Sequence, residues 1–352
     1  MPEVSVAIPV RNGGASLAGV LDALAVQTIE HELIVCDSGS SDDSLALARA
    51  HGARVLEIAP ASFSHGGTRN LLVDAARGEH VALLTQDSEP ADERWLENML
   101  GGFELADDVA IVYGPYRPRP GASVAVRIEL ERWFHSLSPD GEPQLEQLGS
   151  HERALPVVEL VGRRGFFSDA NACLARAAWE RVPFREVPYA EDRVLAIDML
   201  RAGYGKAFVP DAAVIHSHEY SAVEQLRRSF DEWRGLGEIY GWREPASPAH
   251  LLSQLRGELG QTRRELLAQG VSSARRRRAL AEVTRHHVLT RAGALLGSRA
   301  QQLPAAARGR LSLEGRSSFA PLQLDSERPR PADSNAPGIG LHPPKDTPSD
   351  ER

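Results

Sequence analysis

The chain has 352 residues, 42 % apolar and 25 % charged, which suits one large globular domain with an appendage. No apolar run approaches the roughly 18 to 20 residues needed to cross a bilayer, and Met1-Pro2-Glu3-Val4 lacks the basic and apolar regions of a secretory signal. The net charge of −8 is uneven: residues 244–316 hold 13 arginines, no lysine and 5 glutamates, leaving an acidic remainder that argues against nucleic-acid binding.

Val4 to Val10 reads as a first strand, ended by the ladder-breaking Pro9, and Leu17, Val20, Leu21 and Leu24 then recur at helical spacing. Leu33 to Cys36 is a second strand, followed by a polar turn in which Ser41 or Asp42 can cap the next helix. Residues 54–58, 81–84 and 109–113 read as further strands, with helices over about 68–76 and 95–103 between them. Short apolar runs alternating with helices predict a mostly parallel sheet covered on both faces. A helix near 125–134 interrupts a weaker stretch, and regularity returns over 166–174. A helix over 191–200 and a strand pair near 207–209 and 213–216 follow. Beyond Ser221 only helices are expected, over 223–240, 249–269 and 274–296, and the Pro- and Ser-rich residues from 317 are expected to be disordered. Cys36 and Cys173 both sit in apolar strand-like runs, which fits two buried thiols in a reducing cytoplasm rather than a disulfide framework.

In such a sheet ligands gather outside the carboxyl ends of the strands. Those ends present Pro9-Val10-Arg11-Asn12, Asp37-Ser38-Gly39-Ser40, Thr85-Gln86-Asp87 and Ile215-His216. One Asp after a strand is often a turn former. Two of them, followed by Glu191-Asp192 and His216-Ser217-His218, make a set that packing alone does not explain.

From Val4 to about Ser221 the chain resembles the family 2 glycosyltransferases of the GT-A fold, and most closely their rhamnosyltransferase branch. The resemblance rests on Ile8-Pro9-Val10-Arg11-Asn12-Gly13, Cys36-Asp37-Ser38-Gly39-Ser40-Ser41-Asp42, His65-Gly66-Gly67-Thr68-Arg69-Asn70 and Thr85-Gln86-Asp87-Ser88. It continues through Phe166-Phe167-Ser168-Asp169-Ala170-Asn171, Ala190-Glu191-Asp192 and His216-Ser217-His218-Glu219-Tyr220-Ser221. Each motif alone is unspecific; their shared order and spacing are not.

The resemblance implies an α/β GT-A catalytic domain over 1–221, a helical extension over 222–316 and a tail over 317–352. It also implies a cytoplasmic, inverting transferase that moves a sugar, L-rhamnose from dTDP-rhamnose, onto a glycan or lipid-linked acceptor in cell-surface polysaccharide synthesis. Pro9, Arg11, Asn12, Ser38 and Gln86 fall on the side of the nucleotide donor, a dTDP- or UDP-sugar. Asp37 matches the carboxylate that accepts the imide N–H of uracil or thymine, an apt pairing because a carboxylate only accepts. Arg69 matches a cation beside base and phosphate, with a surface helix charge as the plain alternative. Asp87 matches the last carboxylate of an Asp-x-Asp motif holding Mg2+ or Mn2+, although Thr85 replaces the first. His216 and His218 match downstream metal or diphosphate partners, or are structural histidines. Asp192 matches the base that takes the acceptor proton, and the plain alternative is an acidic helix cap. Glu191 supports the loop or the acceptor, and Asp169 and Asn171 line the donor-sugar or acceptor pocket.

Two readings of Arg275-Arg276-Arg277-Arg278 compete: contact with anionic lipid at the inner membrane face, or a helical face packed on the acidic body. For the whole chain the alternatives are a nucleotidyltransferase, for which Arg11-Asn12-Gly13-Gly14 is too short a phosphate loop, and a nucleotide-sugar binder with weak or no catalysis.

Overall fold

The computed structural model describes residues 2–160, 164–187 and 189–313. The tail expected to be disordered, 317–352, lies outside the described residues.

Strand β1 (Val4–Val10), helix α1 (Gly14–Ala25), β2 (His31–Asp37), α2 (Ser44–Ala50), β3 (Arg54–Glu57), α3 (His65–Ala75) and β4 (His80–Leu84) alternate as the apolar pattern predicts. After the two-residue β5 (Glu89–Pro90) come α4 (Trp95–Gly101), β6 (Val109–Tyr113), the two-residue β7 (Tyr116–Arg117) and α5 (Val124–Leu137). Strand β8 (Gln144–Glu146) and the short helices α6 (Ser150–Arg153) and α7 (Val157–Leu160) precede β9 (Asn171–Ala175) and α8 (Arg176–Trp179). Helix α9 (Glu191–Arg201), β10 (Gly205–Phe208) and β11 (Val214–Ile215) complete the mixed part. Helices α10 (Ala222–Tyr240), α11 (Pro248–Ala268), α12 (Ser273–Gly297) and α13 (Ala305–Leu311) follow.

The main sheet has the order β3-β2-β1-β4-β9-β6-β10-β8. Strands β1 to β4 run parallel, as do β6 and β10, whereas β9 runs antiparallel between β4 and β6, and β8 antiparallel on β10. Side chains alternate across a strand, and β1 uses both faces. Val4, Val6, Ile8 and Val10 pack with Leu17, Val20, Leu21 and Leu24 of α1. Ala7 joins the opposite core with Leu72 and Val73 of α3. Each such aliphatic side chain contributes about 1.5–3 kcal/mol on burial, which is why these strands read as apolar runs rather than strict alternation. Cys36 and Cys173 are buried free thiols, and burial pushes Cys36 up to about 11.

A second sheet, β5-β11-β7, decides where the site forms. Ile215 pairs with Glu89 on one side and Arg117 on the other, and the His216 amide donates to the Arg117 carbonyl at 2.9 Å. The chain at His216 is thereby carried back beside Asp87.

Three local expectations change. Helix α2 begins at Ser44, a residue later than an Asp42 cap implies; Asp42 accepts the Ser44 amide at 3.1 Å with one oxygen and the Gly14 amide at 3.1 Å with the other, tying α2 to α1. The strand expected over 166–174 begins only at Asn171, because Phe166 to Ala170 form a loop that turns toward the cavity. Strands β5, β7 and β8 escaped the apolar pattern because they span two or three residues each.

Candidate active site

The carboxyl ends of β1, β2 and β4, the turn after β11 and the loop before β9 open into one cavity of about 660 Å³. Asp87, His216 and His218 bring one carboxylate oxygen and two imidazole nitrogens within 4.8 Å of one another. Asp87 Oδ2 lies 3.6 Å from His216 Nδ1 and 3.5 Å from His218 Nε2. Burial lowers the pKa of His216 below its usual value, with Asp87 opposing, so the ring is held in the neutral form that ligates metals. Thr85, standing where the family pattern has its first Asp, bonds Ser88 Oγ at 2.6 Å, and Ser88 Oγ reaches His216 Nδ1 at 3.2 Å. A hydroxyl chain therefore occupies the place of the missing carboxylate and steadies the histidine. One carboxylate and two imidazoles form a donor set that fits a divalent cation of the Mn2+ or Mg2+ kind, the imidazoles favouring Mn2+.

The second cluster is acidic and buried. Arg69 on α3 forms an ion pair with Asp169, donating from Nη2 to Oδ1 at 2.8 Å, and its Nη1 lies 3.5 Å from Glu191. His65 Nδ1 stands 3.8 Å from the same Glu191 oxygen. Asp192, the second residue of α9, accepts the Arg193 amide at 2.7 Å. Burial raises the pKa of Asp192, offset in part by the Arg193 and Arg69 charges; Asp169 is raised further by burial despite Arg69. The residue before this pair, Ala190, sits at φ +59°. A left-handed alanine is strained backbone, and such strain concentrates where a side chain must be aimed.

Pro9, Arg11, Ser38, Arg69, Gln86, Asp169 and Glu191 line the same cavity as Asp87, Asp192, His216 and His218. Gln86 braces Arg11, accepting its amide at 2.8 Å and donating to its carbonyl at 3.2 Å. Three expected residues are not in the lining. Asp37 is 2 % exposed, and its Oδ2 accepts the Gly39 and Ser40 amides at 2.9 Å each while Oδ1 accepts the Ser40 hydroxyl. Gly39 can close that turn because its φ is +89°. Asn12 is also turned to this loop, its Oδ1 accepting the Ser41 amide at 2.8 Å.

Asn171 is the clearest departure from the sugar-pocket expectation. It is fully buried, accepts the Trp95 indole N–H at 2.9 Å and donates to the Ala212 carbonyl at 2.8 Å. Asn171→Ala orphans both groups and is expected to cost about 2–4 kcal/mol of stability. A urea midpoint equal to that of the unaltered protein would exclude this structural role.

The glycosyl transferase family 2 profile matches residues 5–154. The O-antigen chain rhamnosyltransferase RfbN of Salmonella typhimurium is 33 % identical over 65 % of this chain and 71 % of its own. The chain belongs to the family 2 glycosyltransferases. A second relative, the O-antigen chain rhamnosyltransferase WbaN of Salmonella anatum, is 29 % identical over 66 % of this chain and 71 % of its own. Among solved structures, a mannosyltransferase from Pyrobaculum calidifontis in complex with GDP-Man and Mn2+ superposes with TM-score 0.55 at 17 % identity, covering 84 % of this chain and 87 % of that one. That likeness shows the GT-A fold. The protein is thus an inverting family 2 glycosyltransferase of polysaccharide synthesis.

Sequence reasoning passed over several residues that line this glycosyltransferase's cavity: Tyr116, Tyr189, Arg193, Arg228 and Glu232. Arg228 lies over the Tyr189 ring at 5.5 Å, and Arg193 reaches Glu232 at 3.4 Å while lying over the Phe166 ring at 5.4 Å. Arg228 and Glu232 stand four apart on α10, one face of one helix, which is the only trace they leave in the sequence.

Proposed function

We propose that the protein transfers L-rhamnose from dTDP-rhamnose to a saccharide acceptor, a glycan or a lipid-linked chain, during cell-surface polysaccharide synthesis. The observation that carries this reading is that Asp192 and the Asp87-His216-His218 cluster line one cavity. The two relatives named as O-antigen chain rhamnosyltransferases support the choice of sugar.

In this reading Pro9, Arg11, Ser38 and Gln86 receive the nucleotide. Asp37 reads the thymine imide: its Oδ1 takes one donor from its own loop, which leaves a lone pair for the imide N–H. Asp87, His216 and His218 would hold the divalent cation, which when bound neutralises the charge that develops on the diphosphate. Asp192 takes the proton of the acceptor hydroxyl as that oxygen attacks the anomeric carbon; the bond to the diphosphate oxygen breaks with its electron pair, and configuration inverts. Arg69 holds Asp169 and Glu191 in place, so that Asp192 is the acid of that group left to face the acceptor. In this reading the catalytic domain is 1–221, and Arg228 and Glu232 of α10, in the extension assigned to 222–316, supply part of the cavity wall.

A panel of nucleotide sugars incubated with the protein and Mn2+ or Mg2+ tests the reading. Release of dTDP from dTDP-rhamnose, in preference to UDP or GDP from their sugars, is the expected result. Pyrophosphate as the product would point to a nucleotidyltransferase, and donor binding without release to a non-catalytic binder; either would overturn the proposal.

A further inference from the structure

Among the described residues the strongest single-sign feature outside the active site is the hairpin of α11 and α12. Its loop lies at 269–272, and within about three turns of that loop Arg263, Arg264, Arg275, Arg277 and Arg278 are all exposed. From residue 259 to 281 the sequence carries six arginines and one acid, Glu265. That acid is turned inward: Arg132 of α5 donates to it at 2.8 and 3.1 Å. The exposed arginines of this stretch thus far outnumber its acids, and the one acid is held by Arg132. Leu267 stands beside them, 48 % exposed.

The hairpin is also rigidly joined to the catalytic cavity. Gly293 and Gly297 let the α12 backbone lie directly on α10: a Cβ at either would come within 2.4 Å of the Leu226 carbonyl and 2.3 Å of the Phe230 carbonyl respectively. Ser229 Oγ donates to the Thr290 carbonyl at 2.6 Å across the same contact. Arg228 and Glu232, on this helix α10, line the cavity. Arg277 stands about 24 Å along α12 from Gly293, at the usual rise per residue. A surface held by the tip is thus held at a set distance from the wall of the active site.

We infer that the α11–α12 tip docks the enzyme on a bilayer surface rich in anionic phospholipid. Five exposed guanidiniums beside an apolar side chain match a negative headgroup layer with an acyl boundary beneath it. No described helix is long and apolar enough to cross a membrane, so contact made by these helices is at the surface. Nucleic acid fits less well, because no aromatic side chain stands in residues 259–281 to stack on bases. The inference stands on charge and shape and does not depend on which sugar is transferred.

The test is co-sedimentation of the full-length protein with vesicles of phosphatidylcholine alone or with about 30 mol% phosphatidylglycerol, enough anionic lipid to give the negative surface potential that attracts basic segments. Binding only to the anionic vesicles, released as salt rises toward about 0.5 M, is expected. The triple variant Arg275→Glu, Arg277→Glu, Arg278→Glu should lose at least about a hundredfold in vesicle affinity, at roughly fivefold per arginine. The triple lysine variant should keep most of it, and both should release nucleoside diphosphate from the donor at the unaltered rate. Equal binding to neutral vesicles, no binding to anionic ones, or an undiminished glutamate variant would overturn the inference. So would tighter retention by double-stranded DNA at matched phosphate. Vesicle binding without donor turnover would instead leave docking intact and remove the proposed donor.

Discussion

Asp192→Asn is expected to lower kcat by about a thousandfold, within the range of general-base catalysis, while donor affinity stays within a few-fold. The amide keeps the shape of the carboxylate and can still accept the Arg193 amide, now at 2.7 Å, so α9 should keep its first turn. What is lost is the ability to take a proton. The pH profile of the unaltered enzyme gives an independent reading of the same group. A base works in its ionised form, and burial has raised the pKa of Asp192, so activity should fall as pH drops through a value above the ordinary carboxylate value of about 4. In Asp192→Asn that acidic limb should vanish along with most of the turnover. Full activity in the variant would remove Asp192 from the chemistry.

Asp87→Ala is expected to lose at least about a hundredfold in kcat/KM and to abolish the response to added Mn2+ or Mg2+. The effect should be large because Asp87 is the sole carboxylate in its cluster: Thr85 supplies a hydroxyl turned to Ser88, and the remaining donors are imidazoles. Removing the carboxylate leaves two histidines without a charge to draw the ion. His216→Gln should fall in the same direction but keep a shifted metal titration, since Asp87 and His218 remain within reach of each other. Metal titration by isothermal calorimetry measures this without relying on turnover. An unchanged titration in Asp87→Ala would exclude the site.

Buried strands were easy to read because both faces of the sheet are covered and the side chains must be apolar throughout. The boundaries of α9 to α12 followed from helical spacing to within one or two residues for a similar reason, each helix burying one face. Asn171 and Asp37 were harder. Both are polar residues beside a family motif, and sequence has no means of telling a side chain aimed into a cavity from one bonded to buried carbonyls or tied in part into its own turn. The Arg228 and Glu232 wall was invisible for another reason: it comes from α10, and charges four apart on a helix are ordinary on any solvated face.

The sequence by itself determined the alternating α/β order and the family, and it singled out Asp87, Asp192, His216 and His218, which line one cavity. Those follow from local periodicity and from motifs that are contiguous in the chain. The tertiary structure alone decided that β9 runs antiparallel in the middle of the sheet and that His216 returns to Asp87 through the pairing of β11 with β5 and β7. It also decided that Arg69 is spent on Asp169 and Glu191, and that Arg275, Arg277 and Arg278 of α12 face outward. Contacts between residues a hundred or more positions apart depend on register and on which face of an element is covered, and neither quantity is written in any short stretch of sequence.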